Sequence, residues 1–175
     1  LALKTAVVSG AASRLLVGEP RIQRIDVLAG SLLDRLAEAE HAAAQGDVVV
    51  DAPTLRALAG AFPVREWRRA ESGHELAVLA PSPAEPPEPP PDPPAPLPSL
   101  PDDLSRQWVL APVYDRLRSE GERFLAELRP ATALFLQFGG LDFDGDPQAA
   151  GTLDAFVRWV QGVVDAYGGA VIQLT

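Results

Sequence analysis

The sequence predicts an α+β protein, and three observations carry that expectation. Short β-branched runs such as "DVVVD" alternate with segments whose apolar residues recur at helical spacing. Glycines close the helical segments where a left-handed stop is needed. Hydrophobic residues make up 47% of 175 residues, enough for a real core in one ordinary domain or in parts of two.

Taken in order, "LALKTAVVSG" reads as a strand ending in a turn and "RIQRIDVLAG" as a second strand, with "GEP" at Gly18 to Pro20 as a turn. The stretch "SLLDRLAEAEHAAAQG" spaces Leu32, Leu33, Leu36, Ala39 and Ala43 along one helical face and closes on Gly46. "DVVVD" follows as a short buried strand, then "APTLRALAG" as a short helix ending at Gly60. "FPVREWRRAESGHELAVLA" reads as a hairpin turning at Ser72-Gly73. The predicted order is β, β, α, β, α, β, β.

Residues 81–101 contain 12 prolines in 21 positions. That density removes backbone donors and fixes φ, which favours extended polyproline II over helix or sheet. The segment reads as a spacer between two folded units; the other reading is a ligand for a proline-recognising module. After it, residues 102–130 read as a lead-in with a helix centred on 113–127, amphipathic through Val113, Leu117, Phe124 and Leu128. "ATALFLQF" reads as a strong strand. A second helix spaces Leu153, Phe156, Val157, Val160, Val163, Val164 and Tyr167 along one face and ends at Gly168-Gly169; "AVIQLT" reads as the next strand.

Composition narrows the function. The net charge of −9 disfavours nucleic acid and anionic membranes as partners, since both require clustered Lys and Arg. Most of the acidic excess falls after residue 80, where 6 basic face 14 acidic side chains. Cysteine is absent, which removes disulfides, thiolate metal sites and cysteine nucleophiles together. No signal peptide or membrane-length apolar run is present, so the expected location is the cytoplasm. Methionine is absent and the chain opens at Leu1, so it is read as a piece of a longer protein.

Two segment groups carry a family resemblance. "ELRPATALFLQFGGLDF" and "DAFVRWVQGVVDAYGGAVIQL" resemble the opening strand, carboxylate-bearing loop, first helix and second strand of the class III nucleotide cyclases, the adenylyl and guanylyl cyclases. "AVVSGAASRLLVGEPRIQRIDVLAG" with "AEAEHAAAQGDVVVDAPTLRAL" resembles the later half of the same domain, and the arrangement is most similar to tandem-domain soluble adenylyl cyclases. The resemblance implies a ferredoxin-like cyclase fold with a mixed, mainly antiparallel sheet. It divides the chain into the back of a first domain (1–80), a linker (81–101), a lead-in (102–130) and the front of a second domain (131–175).

It also implies an activity. In such enzymes two paired domains convert a purine nucleoside triphosphate, here expected to be ATP, to its 3′,5′-cyclic monophosphate with Mg²⁺ or Mn²⁺ held by two aspartates. An Asn and an Arg on the partner domain complete the site, the Arg stabilising charge that builds on the phosphate. The family's first metal aspartate aligns with Gly140, and its Asn and Arg align with Asp34 and Glu38. Glycine has no ligand to offer, and Glu38 would repel a triphosphate. Both losses fall on one pseudo-symmetric site, so the resemblance implies a degenerate half-site, an inactive fragment and a parent that is either a cyclase or a non-catalytic dimerisation or sensory module.

The remaining candidates are slighter. Asp142, Asp144 and Asp146 crowd a loop but lack EF-hand spacing and its later Glu, and read as a solvated turn rather than a metal site. Gln173 aligns where adenylyl cyclases commonly carry a base-reading Lys; a polar residue on an outward strand face is the other reading. His41 and His74 read as surface residues, and Trp67, Trp108 and Trp159 as packing residues. Arg35 points about 100° around the helix from Asp34. Ser9-Gly10 lacks a nucleophile-elbow context, and no Walker or Rossmann glycine pattern occurs.

Overall fold

A computed structural model describes residues 3–81, 99–118 and 130–174. They fall into two compact units, one within Leu1–Ser13 and Leu28–Pro96, the other within Arg14–Val27 and Leu97–Thr175. The N-terminal stretch therefore contributes residues 14–27 to the second unit.

In the first unit, β1 (Thr5–Val7), β4 (Val48–Asp51), β5 (Val64–Arg69) and β6 (Glu75–Leu79) form a sheet in the order β1-β4-β6-β5. β1 pairs with β4 in parallel, while β4/β6 and β5/β6 are antiparallel, so the sheet is mixed and mainly antiparallel. The parallel pair needs a long crossover, and helix α1 (Ser31–Ala42) lies within it. Val49 and Val50 point to opposite faces because side chains alternate along a strand. One face gathers Ala39, Ala43, Val49, Leu76 and Val78; the other gathers Val50, Ala77 and Leu79 against Leu55 and Leu58. Coverage on both faces explains why β6 reads as the unbroken apolar run "LAVL" rather than as an alternation.

Helix α2 (Ala52–Ala57) starts where Asp51 accepts a bond from the Thr54 backbone N–H at 2.9 Å, with Pro53 in its first turn. The predicted hairpin turn is present: Gly73 sits at φ 92° between β5 and β6. Gly46 likewise takes φ 87° after α1.

The second unit holds a two-stranded ribbon of β2 (Ser13–Val17) and β3 (Ile25–Ala29), whose first residue and last two residues lie in the first unit. It also holds α3 (Asp102–Arg106), α4 (Ala111–Arg118) and α5 (Ala149–Ala166). Val17, Leu153 and Val157 form its buried core, with Leu15, Ile25, Val27, Leu141, Phe143 and Leu174 packed around them.

Several expectations are corrected here. The sequence reading does not include β2, because "SRLLV" has no clean polar–apolar alternation; its inward side carries Ser13 beside Leu15 and Val17, and its outward side carries Leu16. Residues 131–138 and 170–174 form no strand among the described residues. A strand exists by pairing, and Leu134, Phe135 and Ile172 are 76%, 94% and 81% exposed, with no ladder beside them among the described residues. The three tryptophans, expected to pack, are all largely exposed, although Trp159 keeps a ring contact with Phe156. The predicted face of α5 is also split, since Val163 and Tyr167 are exposed while Ala149, Leu153, Val157 and Gln161 are buried. Of the helix expected over 113–127, residues to Arg118 are helical in α4 and the rest, like most of the proline segment, lies outside the described residues.

Candidate functional site

The resemblance singles out Asp34 and Glu38 on α1, in the first unit, and Gly140 and Gln173 in the second. On α1 the two acids are four residues apart and so share a face. Asp34 is exposed. Glu38 is not free: its Oε2 lies 2.9 Å from Nδ1 of His74, which is also 3.0 Å from the Ser72 hydroxyl. The bond from His74, then that from Ser72, holds the Glu38 carboxyl below its ordinary range. Glu38 thereby anchors the β5–β6 turn to α1. His74 is thus a surface residue with a partner, and His41 is a surface residue on the last turn of α1.

Arg35, the neighbour of Asp34, turns toward the β1 and β4 ends. Its Nη1 lies 3.2 Å from Oδ2 of Asp51, and its Nη2 donates to the Ser9 carbonyl at 3.3 Å. Thr54 Oγ1 donates to Ser9 Oγ at 3.0 Å, which ties the loop after β1 to the start of α2. A Cβ at Gly10 would stand 2.6 Å from Arg35 Nη2, so that loop lies directly against the guanidinium.

In the second unit Gly140 takes φ +82°, and nothing lies within 4 Å of where its Cβ would be. Asp142 spends its Oδ1 on the backbone N–H groups of Asp144 and Gly145, at 3.1 and 2.9 Å, an Asx-type turn. Asp146 Oδ1 accepts from the Gln148 N–H at 2.8 Å, ahead of α5. A carboxylate at each of two separate backbone turns does not make a divalent-cation cage, and among the described residues no group of three or more His, Asp or Glu side chains converges. This donor set does not fit a two-metal centre. Gln173 is exposed on a segment without strand pairing.

Sequence reasoning missed the most constrained polar group in the second unit. Gln161 is 2% exposed, on the core stripe of α5 one turn beyond Val157. Its Oε1 accepts from the Glu19 N–H at 2.7 Å and its Nε2 donates to the Gln23 carbonyl at 2.8 Å. One turn earlier, Arg158 bonds Asp154 at 2.8 Å and Glu19 at 3.2 Å, while Asp154 Oδ1 accepts from the Gly18 N–H at 2.8 Å. The available signal was a glutamine at the i+4 position of an otherwise apolar stripe.

No family model, no curated protein and no solved structure matches the chain.

Proposed function

We propose that the chain belongs to a nucleotide cyclase-type signalling protein of the tandem-domain kind, with ferredoxin-like cyclase domains, and that it supplies a retired half-site. The protein carrying it would convert a purine nucleoside triphosphate, ATP in the first instance, to the 3′,5′-cyclic monophosphate and pyrophosphate at a second, intact site. Mg²⁺ or Mn²⁺ would serve that other site.

One observation carries the reading. Glu38 occupies the position where the resemblance expects an arginine, and its carboxylate is engaged by His74 and Ser72. A negative charge committed to a structural bond neither attracts a triphosphate nor stabilises charge on one. Gly140, with no side chain, stands where a metal aspartate is expected, and Asp142 nearby is spent on its own turn. Supporting the same picture, a helix begins directly after Gly30, inside a crossover that returns to a parallel strand.

The second reading, a non-catalytic pair serving dimerisation or sensing, is favoured by the same engaged carboxylates. The two separate by assay. A longer protein that includes residues 1–175 is tested for cyclic nucleotide from ATP and from GTP with Mn²⁺, and product from neither removes the enzymatic reading. For the chain itself the expected result is no shift in melting temperature with ATP and Mn²⁺; a clear shift overturns the retired half-site.

A further inference from the structure

The outward side of the β2–β3 ribbon carries an open cavity, apart from every residue singled out above as a cyclase position. It measures about 230 Å³ and is lined by Arg14, Leu15, Leu16, Asp26 and Trp108. Leu16 and Trp108 are 46% and 45% exposed, so two large apolar side chains face solvent there. The Arg24 N–H donates to the Gln107 carbonyl at 2.6 Å, which fixes the residue before Trp108 to the ribbon. Two donors remain unspent. Arg14 bonds Asp26 through Nε and Nη2, and among the described residues neither its Nη1 nor the Trp108 indole N–H has an acceptor.

An exposed indole beside a leucine, with its N–H free, suits a proline-rich ligand. A polyproline II chain presents apolar rings and carbonyls that no internal hydrogen bond occupies, and it is ordered before it binds. The chain itself holds such a ligand. Residues 85–90 read "EPPEPP", and a repeat of three matches the three residues per turn of polyproline II. That match puts Glu85 and Glu88 on one edge and prolines on the other two. Residues 82–98 contain three acids, Glu85, Glu88 and Asp92, and no base. Sixteen residues lie between Pro91 and Trp108, among them the non-proline positions Ala95, Leu97 and Ser99, which is chain enough to return to the cavity.

We propose that this cavity is a polyproline-docking site and that its occupant is the chain's own acidic segment, residues 85–90. Proline rings lie on Trp108 and Leu16, a ligand carbonyl accepts from the indole N–H, and a glutamate takes the unspent Nη1 of Arg14. Asp26 covers the Nε edge of the guanidinium, so the acid enters on the Nη1 side. The acidic edge therefore distinguishes this segment from a neutral proline run. This holds whether or not the chain belongs to a cyclase.

The test uses the full chain with Trp67→Phe and Trp159→Phe, which leaves Trp108 as the reporter. Acrylamide quenching of its fluorescence is compared with and without serine in place of Pro86, Pro87, Pro89 and Pro90. The serine chain should be quenched at least about twofold more steeply, and a peptide of residues 84–91 should restore the protection saturably. The same peptide with Glu85→Gln and Glu88→Gln should bind at least about threefold more weakly. Equal quenching of the two chains, or equal binding of the two peptides, overturns the proposal. Protection that grows with protein concentration overturns it too, because the occupant is then a second chain's segment. Should the Trp→Phe changes disturb the fold, the Trp108 indole N–H resonance of the otherwise wild-type chain decides. It should move on the serine substitutions and return on adding the peptide, and an unmoved resonance overturns the proposal.

Discussion

Asp47 and Arg65 meet at 2.6 Å, Oδ1 to Nη2, and so tie the residue that leads into β4 to β5, which is not β4's neighbour in the sheet since β6 lies between them. Arg68 adds a second bond to the other carboxylate oxygen at 2.7 Å, and the Ala44 N–H a third at 2.9 Å. The Asp47 side chain is only 5% exposed. The Arg65 bond, then that from Ala44, pulls its carboxyl from 3.8 down to about 2.

That depression sets an acid dependence. A carboxyl whose folded value lies below its unfolded value stabilises the fold fully above the unfolded value and loses that stabilisation as pH falls toward the folded one. The window therefore runs from about pH 4 down to about 2. Asp47→Asn should flatten the melting temperature against pH across this window and lower it by roughly 5 °C at neutral pH. An unchanged slope between wild type and variant would remove Asp47 as the cause.

Glu38 and His74 offer the contrast. The pair bonds at 2.9 Å, but the His74 side chain is 57% exposed and the contact is screened. Glu38→Gln should leave the melting temperature within about 1 °C of wild type at neutral pH. Its effect should appear as faster hydrogen exchange at the Ala70 amide, which bonds the His74 carbonyl across the turn. A loss of several degrees would show that Glu38 holds more than this turn.

Arg35 and Asp51 form an ion pair in which the carboxylate is buried and the guanidinium is partly exposed, and here each partner carries an atom without a hydrogen bond, Nε of Arg35 and Oδ2 of Asp51. Removing the cation leaves Asp51 buried without its counter-charge. Arg35→Met should therefore cost about 3 kcal/mol in chemical denaturation. The double variant Arg35→Met/Asp51→Asn should recover a large part of that loss, because the buried charge has gone with its partner. Equal stability of single and double variants would mean that Arg35 acts through packing alone.

The first unit was largely readable from sequence because its signals are local. "DVVVD", the Ser72-Gly73 turn and the helical spacing from Leu32 to Ala43 each specify their element without reference to the rest of the chain. What stayed hidden is non-local. β2 exists because Val17 finds Leu153 and Val157, and no pattern within "SRLLV" announces that contact. Conversely, "ATALFLQF" is apolar and reads as a strand but finds no partner strand among the described residues, and an apolar run without pairing makes no strand. The resemblance only pointed to Asp34, Glu38 and Gly140 as positions to inspect; the partner that engages Glu38 lies 36 residues away and could not be read from α1.

The exposure of that unpaired segment yields the last prediction. Phe135 is 94% exposed, whereas Leu153 is 1% exposed at the centre of the second unit's core. Truncating a buried leucine removes transfer free energy and leaves a cavity, so Leu153→Ala should cost about 2–5 kcal/mol. Phe135→Lys should change stability by less than about 0.5 kcal/mol, since it gives up almost no burial. It should also reduce association, because "ATALFLQF" is an uncharged, mainly apolar run without proline and invites edge pairing. Light scattering against protein concentration reads the second effect and denaturant melts the first. A Phe135→Lys variant as destabilised as Leu153→Ala would mean that residues 131–138 are packed in solution.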